Sequence, residues 1–218
     1  MIMCQRIVAC ETLRNEVSCL LARSRSDTPV NWIPSGLHNV PEKLNHALQE
    51  VLDQLPPTDC VLLAMSFCGD SVVGLHSGDF RLVIPRCEDC ITLLLGSDAR
   101  RRSIFATYFM TEGWLSGENN IWQEYLHCIQ KYGEKRGKRI FSAMLAHYKN
   151  LALLDTGCFD KDAAQAQLIP IAEALGLEYT CIEGTLDYLQ DLLNGNWAPD
   201  RFLVVPPHTT ISPDMLKG

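Results

Sequence analysis

No apolar run in this chain of 218 residues approaches the roughly 18 to 20 needed to cross a bilayer as a helix. A basic excess is missing too. The formal net charge is -7, which argues against nucleic acid as a partner, since that function normally requires a basic surface. The runs "DARRRS" and "KYGEKRGKR" read as solvated helix faces. No G-x-G-x-x-G or P-loop lysine follows any strand-like run, so a nucleotide enzyme has no support. No G-x-S-x-G marks a hydrolase. Repeats, low-complexity tracts and long linkers are absent. The opening "MIMCQRIVACETLRNE" meets charge at Glu11, Arg14 and Glu16 too soon for a secretory signal, which implies a cytoplasmic protein without a membrane partner.

Cysteine, by contrast, is abundant, with ten in the chain. Without secretion, a disulfide scaffold is not the expected use. Packed thiols, metal ligands and reactive thiols remain.

Strand-like runs alternate with helix-like ones. The strands read as "RIVAC", "VNWIP", "CVLLAMSFC", "FRLVIP", "TYFMT", "LALLDT", "EYTCIEG" and "RFLVVPP". Between them, "PEKLNHALQEVLDQL" places Leu44, Leu48, Val51, Leu52 and Leu55 on one helical face. Pro41 and Pro56 punctuate it. "KDAAQAQLIPIAEALG" reads as a helix kinked at Pro170. The alternation implies an α/β fold, Rossmann-like, with a mostly parallel sheet and helices on both faces. It is read as a single domain over 1–218, divisible into βα halves of about 1–148 and 149–218.

In such folds the ligand crevice lies beyond the carboxyl ends of the strands. Cys10, Cys68 and Cys90 sit at ends of that kind, in "ACE", "FCGD" and "EDCI". If their strands are parallel neighbours, the three thiols converge on one rim, where helix N-termini would favour thiolates. Each alone reads as packing, because free cysteine is among the most buried residue types. Three equivalent positions favour a site. Cys4, Cys19, Cys60, Cys128 and Cys181 are assigned to packing. Cys87 and Cys90 form a CxxC, which lacks the second pair of a zinc ribbon, and Cys158 in "LLDTGCFD" is a reserve candidate.

Soft thiolates suit zinc, with His38 of "SGLHNVP" as a fourth ligand, or a [4Fe-4S] cluster with one iron left open for substrate. His38 reads equally as a loop or core histidine. Arg86 and Asp89 are candidate catalytic residues, with Arg86 holding an anionic group of a small-molecule substrate. A structural pair between Arg86 and Asp89 is the competing reading.

"GLHNVPEKL", "FCGDSVVGL", "LVIPRCEDCITLLLGS", "MTEGWL" and "LLDTG" together resemble the domain-of-unknown-function family 1638. The resemblance spans nearly the whole chain and is most specific in the central stretch. It implies a site including Cys10, His38, Cys68, Arg86, Asp89, Cys90 and Trp114. Members more often carry histidine where this chain has Glu88, and Cys87 departs from their pattern. The family's genes often accompany corrinoid-dependent methyltransferase systems. That implies either a metalloprotein of methyl-group or sulfur metabolism, whether transferase or desulfurising lyase, or a non-catalytic accessory protein with a corrinoid protein or methyltransferase as partner.

Overall fold

The computed structural model describes residues 4–117 and 120–217. All eight expected strands form, as β1 (Gln5–Cys10), β2 (Val30–Ile33), β3 (Cys60–Ala64), β4 (Arg81–Pro85), β5 (Thr107–Met110), β6 (Asn150–Asp155), β7 (Glu178–Glu183) and β8 (Phe202–Val205). The helices are α1 (Arg14–Ser24), α2 (Pro41–Asp53), α3 (Cys90–Leu95), α4 (Asp98–Ser103), α5 (Glu112–Leu115), α6 (Ile121–Tyr132), α7 (Glu134–Met144), α8 (Lys161–Leu175), α9 (Asp187–Asn194) and α10 (Pro213–Leu216).

The strands divide between two sheets. The larger has the order β2-β1-β3-β4-β8, and the smaller β5-β6-β7. In the larger sheet β2, β1, β3 and β4 are parallel, while β8 joins β4 antiparallel, with Leu82 opposite Val205. The smaller sheet is wholly parallel. The chain changes sheet between β4 and β5 and returns between β7 and β8, so the smaller sheet is a continuous stretch inserted between strands of the larger.

Burial explains the parallel pairing. Every residue of β3 is buried, as are the last four of β1 and β4. Strands covered on both faces need continuous apolar sequence, and "CVLLA" and "LVIP" supply it. From β1 the chain moves outward to β2, then back past β1 to β3. With right-handed connections, that reversal puts α1 and α2 on opposite faces of the sheet. Helix α2 buries Leu44, Leu48 and Leu52, as its spacing predicted. Helix α9 packs against α1, β3 and β4.

Strand β6 contributes to two hydrophobic clusters by simple alternation. Ala152 and Leu154 pack into the large core that contains Ile7, Leu63 and Ile84. Leu151 and Leu153 face a second cluster with Leu168 and Ala172 of α8. Successive strand side chains point to opposite faces, so a fully apolar strand can serve two cores at once. Helix α8 runs without interruption through Pro170, its buried residues Leu168, Ile171 and Ala172 lying on both sides of that position. Among the described residues, no helix is long and apolar enough to cross a membrane.

Candidate functional site

Strands β1, β3 and β4 are parallel neighbours, and their carboxyl ends share one rim. Cys10 is the last residue of β1. Strand β3 stops at Ala64, so Cys68 sits not at the strand end but in the loop beyond it. That loop is clamped to the segment after β4: Phe67 N–H donates to the Cys87 carbonyl at 2.9 Å, and Cys68 N–H to the Glu88 carbonyl at 3.1 Å. Cys90 begins α3, whose first turn is capped by Asp89 through a 2.6 Å bond from Thr92 N–H.

The three thiols line one cavity of about 160 Å³, together with His38, Asp89 and Trp114. Ser66 Oγ lies 3.0 Å from the Cys68 sulfur and 3.4 Å from that of Cys90, so one hydroxyl bridges two thiols. Thr12 Oγ1 donates to the Cys10 sulfur at 3.0 Å. Sequence reasoning missed both hydroxyls. Each stands two residues from its cysteine, in "CET" and "SFC", a spacing that could have pointed to them. Part of the cavity's lining is a stacked pair, the rings of His38 and Trp114 lying 5.5 Å apart and 12° from parallel. His38 Nδ1 is engaged by the Ser35 carbonyl.

Cys68 adopts φ +45°, in the left-handed region that a residue with a Cβ seldom occupies. Such strain, on the order of 1 to 3 kcal/mol, persists only where the surroundings over-determine it. Here the two backbone bonds to Cys87 and Glu88 do so.

The thiols differ in acidity. A hydrogen bond from the Cys90 thiol, aided by Ser66, holds Cys68 below the ordinary thiol range despite its burial. The same bond, with full burial, pushes Cys90 well above it. Burial, reinforced by Cys90, raises Cys10 to about 12. The expectation that helix N-termini would favour thiolates is therefore corrected for Cys10, where desolvation outweighs any nearby dipole, and for Cys90, where the bond to Cys68 and then desolvation do so. Cys68 is the most acidic thiol of the set.

Other expected roles shift. Arg86 does not line this cavity. Its Nε donates to the Pro199 carbonyl at 3.0 Å and its Nη1 to that of Met215 at 2.9 Å, pinning the C-terminal segment to β4. Nor does it pair with Asp89, whose Oδ2 instead faces Arg101 Nε at 3.8 Å. The CxxC is not a unit, since Cys87 is buried and does not line the cavity that Cys90 lines. Of the cysteines assigned to packing, Cys60 and Cys128 are buried, Cys19 is half-buried, and Cys4 and Cys181 are exposed. Cys158 is half-buried, outside the cavity.

Among the described residues, no three His, Cys, Asp or Glu side chains stand close enough together to hold a metal ion as they lie. No curated protein and no solved structure matches the chain. A family model does match, over residues 32–193, described as "Protein of unknown function (DUF1638)". The matched span contains His38, Cys68, Asp89, Cys90 and Trp114 and begins after β1 and Cys10. More than half of the chain lies within it, and the chain belongs to this family.

Proposed function

We propose that Cys10, Cys68 and Cys90 hold a [4Fe-4S] cluster, and that a small sulfur- or methyl-bearing substrate meets it in the cavity that His38 and Trp114 help to line. The observation that carries this reading is the convergence of three thiols, from three separate strand-end segments, on one cavity. The order β2-β1-β3-β4 supports a Rossmann-like frame whose reversal point lies between β1 and β3, where open α/β sheets bind their ligands.

The donor set fits a cluster better than zinc. Zinc would draw all its ligands to about 2.3 Å or less, and no such grouping is prepared. His38, its Nδ1 held by the Ser35 carbonyl, keeps Nε2 for a metal, but among the described residues its ring and the thiols are not gathered about one point. A cubane spreads its cysteines over different irons and accepts wider sulfur spacing. Ser66 and Thr12 would hydrogen-bond the ligating sulfurs, a common means of tuning such centres. Loading must displace the protons of Cys10 and Cys90, so it should be favoured by rising pH. When bound, a three-cysteine cluster supplies an open iron with Lewis-acid or sulfur-accepting capacity. The cavity is smaller than the ~300 Å³ at which drug-sized ligand sites begin, which restricts the substrate to a small molecule. Ten free cysteines suit a reducing cytoplasm.

Anaerobic reconstitution with iron and sulfide tests the reading. Wild type, Cys19→Ala and Cys128→Ala should retain iron, sulfide and broad visible absorption, and Cys10→Ala, Cys68→Ala and Cys90→Ala should lose them. Iron retained undiminished by Cys68→Ala would refute it.

One observation favours a second reading. Of the three cavity thiols, Cys68 alone has its pKa held down, by a hydrogen bond from Cys90. That arrangement suits a nucleophile in metal-free sulfur or acyl transfer. A protein that takes up no iron yet reacts stoichiometrically at Cys68 with small electrophiles would support it.

A further inference from the structure

A second pair of thiols lies away from the cavity, at the seam between the two sheets. Cys19 is on α1, and Cys158 is in the turn between β6 and α8. Strand β6 ends at Asp155, and the turn that follows, with Thr156, Gly157 and Cys158, lies against α1. Thr156 Oγ1 donates to Glu16 Oε1 at 2.8 Å, and the Cys158 thiol donates to the Thr156 carbonyl at 3.6 Å. Glu16 and Cys19, three residues apart on α1, share a helix face. Cys158 and Cys19 therefore face the same seam, and burial, with the Cys19 thiol beside it, pushes Cys158 up to about 12.

Glu16 marks this seam as more than packing. It is 0% exposed, and its Oε2 has no hydrogen-bond partner. A buried carboxyl oxygen left unpaired is costly, and its retention beside two thiols needs a reason. A carboxyl able to take up or release a proton beside a dithiol supplies one.

We infer that Cys19 and Cys158 form a redox-active dithiol that low-molecular-weight disulfides oxidise, stapling α1 to the β6–α8 turn. One thiol loses its proton and attacks the small disulfide, breaking its S–S bond and releasing one small thiol. The other then attacks the mixed disulfide and expels the second small thiol. Two protein S–H bonds and one small-molecule S–S bond break. One protein S–S bond forms, and two small thiols carry away both protons and both electrons. Both cysteines are half-buried, so the first attack needs no unfolding. The staple would join the two sheets at α1, which begins just beyond Cys10 and Thr12, and so report the redox state of the surroundings to the cavity rim. It does not depend on a cluster being bound there.

The test is titration of the purified metal-free protein with reduced and oxidised glutathione, followed by alkylation, digestion and mass spectrometry. Expected is one intramolecular cross-link between the peptides carrying Cys19 and Cys158, reversed by reductant and absent in Cys19→Ser and Cys158→Ser. The cross-linked form should unfold at a higher temperature than the reduced one. Glu16→Gln should slow closure without changing which cysteines pair, a kinetic effect that a merely structural role would not produce. Separate glutathione adducts on the two cysteines, a cross-link between Cys68 and Cys90 in their place, or no oxidation at glutathione ratios that oxidise exposed dithiols would each overturn it.

Discussion

Gly113 is the point at which helix α5, carrying Trp114, touches the β1 rim. A Cβ there would stand 2.3 Å from the Thr12 carbonyl oxygen and 2.9 Å from its carbon. Both are backbone atoms, so no rotamer change relieves the clash. Gly113→Ala must therefore push α5 outward by something approaching 1 Å, at an overpacking cost of about 1 to 3 kcal/mol. The alanine gains helix propensity of about 1 kcal/mol at most, less in so short a helix. The net loss should be about 1 to 2 kcal/mol, lowering the unfolding midpoint by about 2 to 8 °C for a chain of this size. The displacement also carries Trp114 away from His38 and opens the cavity, so Cys68 should be alkylated faster. Gly176→Ala is the control. Its φ of +74° makes alanine strained there, but nothing lies within 4 Å, so stability should fall while Cys68 reactivity stays unchanged. Thermal unfolding by circular dichroism and timed iodoacetamide labelling read both effects. If Gly113→Ala matched wild type in midpoint and labelling rate, the close approach of α5 to Thr12 would be wrong.

In metal-free protein, Cys68 should be alkylated at a lower pH than Cys10 and Cys87, both pushed up to about 12, and Cys90→Ala should slow Cys68 near neutral pH by removing the hydrogen bond that lowers its pKa; peptide-resolved labelling against pH checks the order. Burial raises the pKa of Glu16 in the folded state, so its favourable contribution is complete below the unfolded value of about 4.3 and is lost as pH rises through the folded one. Glu16→Gln should therefore gain stability relative to wild type as pH rises from 4 to 8 and show little difference at the acid end, read by urea midpoints; a constant offset would refute the shift. Leu48→Ala, at a fully buried position of α2, should cost about 2 to 5 kcal/mol without altering Cys68 labelling. Arg86→Ala should loosen the C-terminal segment, seen as faster amide exchange around Met215, and leave cavity chemistry intact.

The strands and the main helices were legible in the sequence because their signals are local. "CVLLA" and "LVIP" are apolar without alternation, which buried parallel strands require, and Leu44, Leu48 and Leu52 keep a helical spacing wherever α2 is placed. The rim position of Cys10 and Cys90 followed from strand polarity alone. Tertiary structure decided the rest. The division into two sheets left no local mark: β6, like β3, is apolar on both faces, and a sequence does not say which core each face will meet. Arg86 looked like a ligand to an anion because its partners, the carbonyls of Pro199 and Met215, lie more than a hundred residues away and leave no mark as residue types. Acidity was decided the same way. Composition makes Cys10, Cys68 and Cys90 equivalent thiols, whereas the fold buries two as acids and gives the third a donor, and a proton's affinity depends on the burial and hydrogen bonds that only the folded chain brings together.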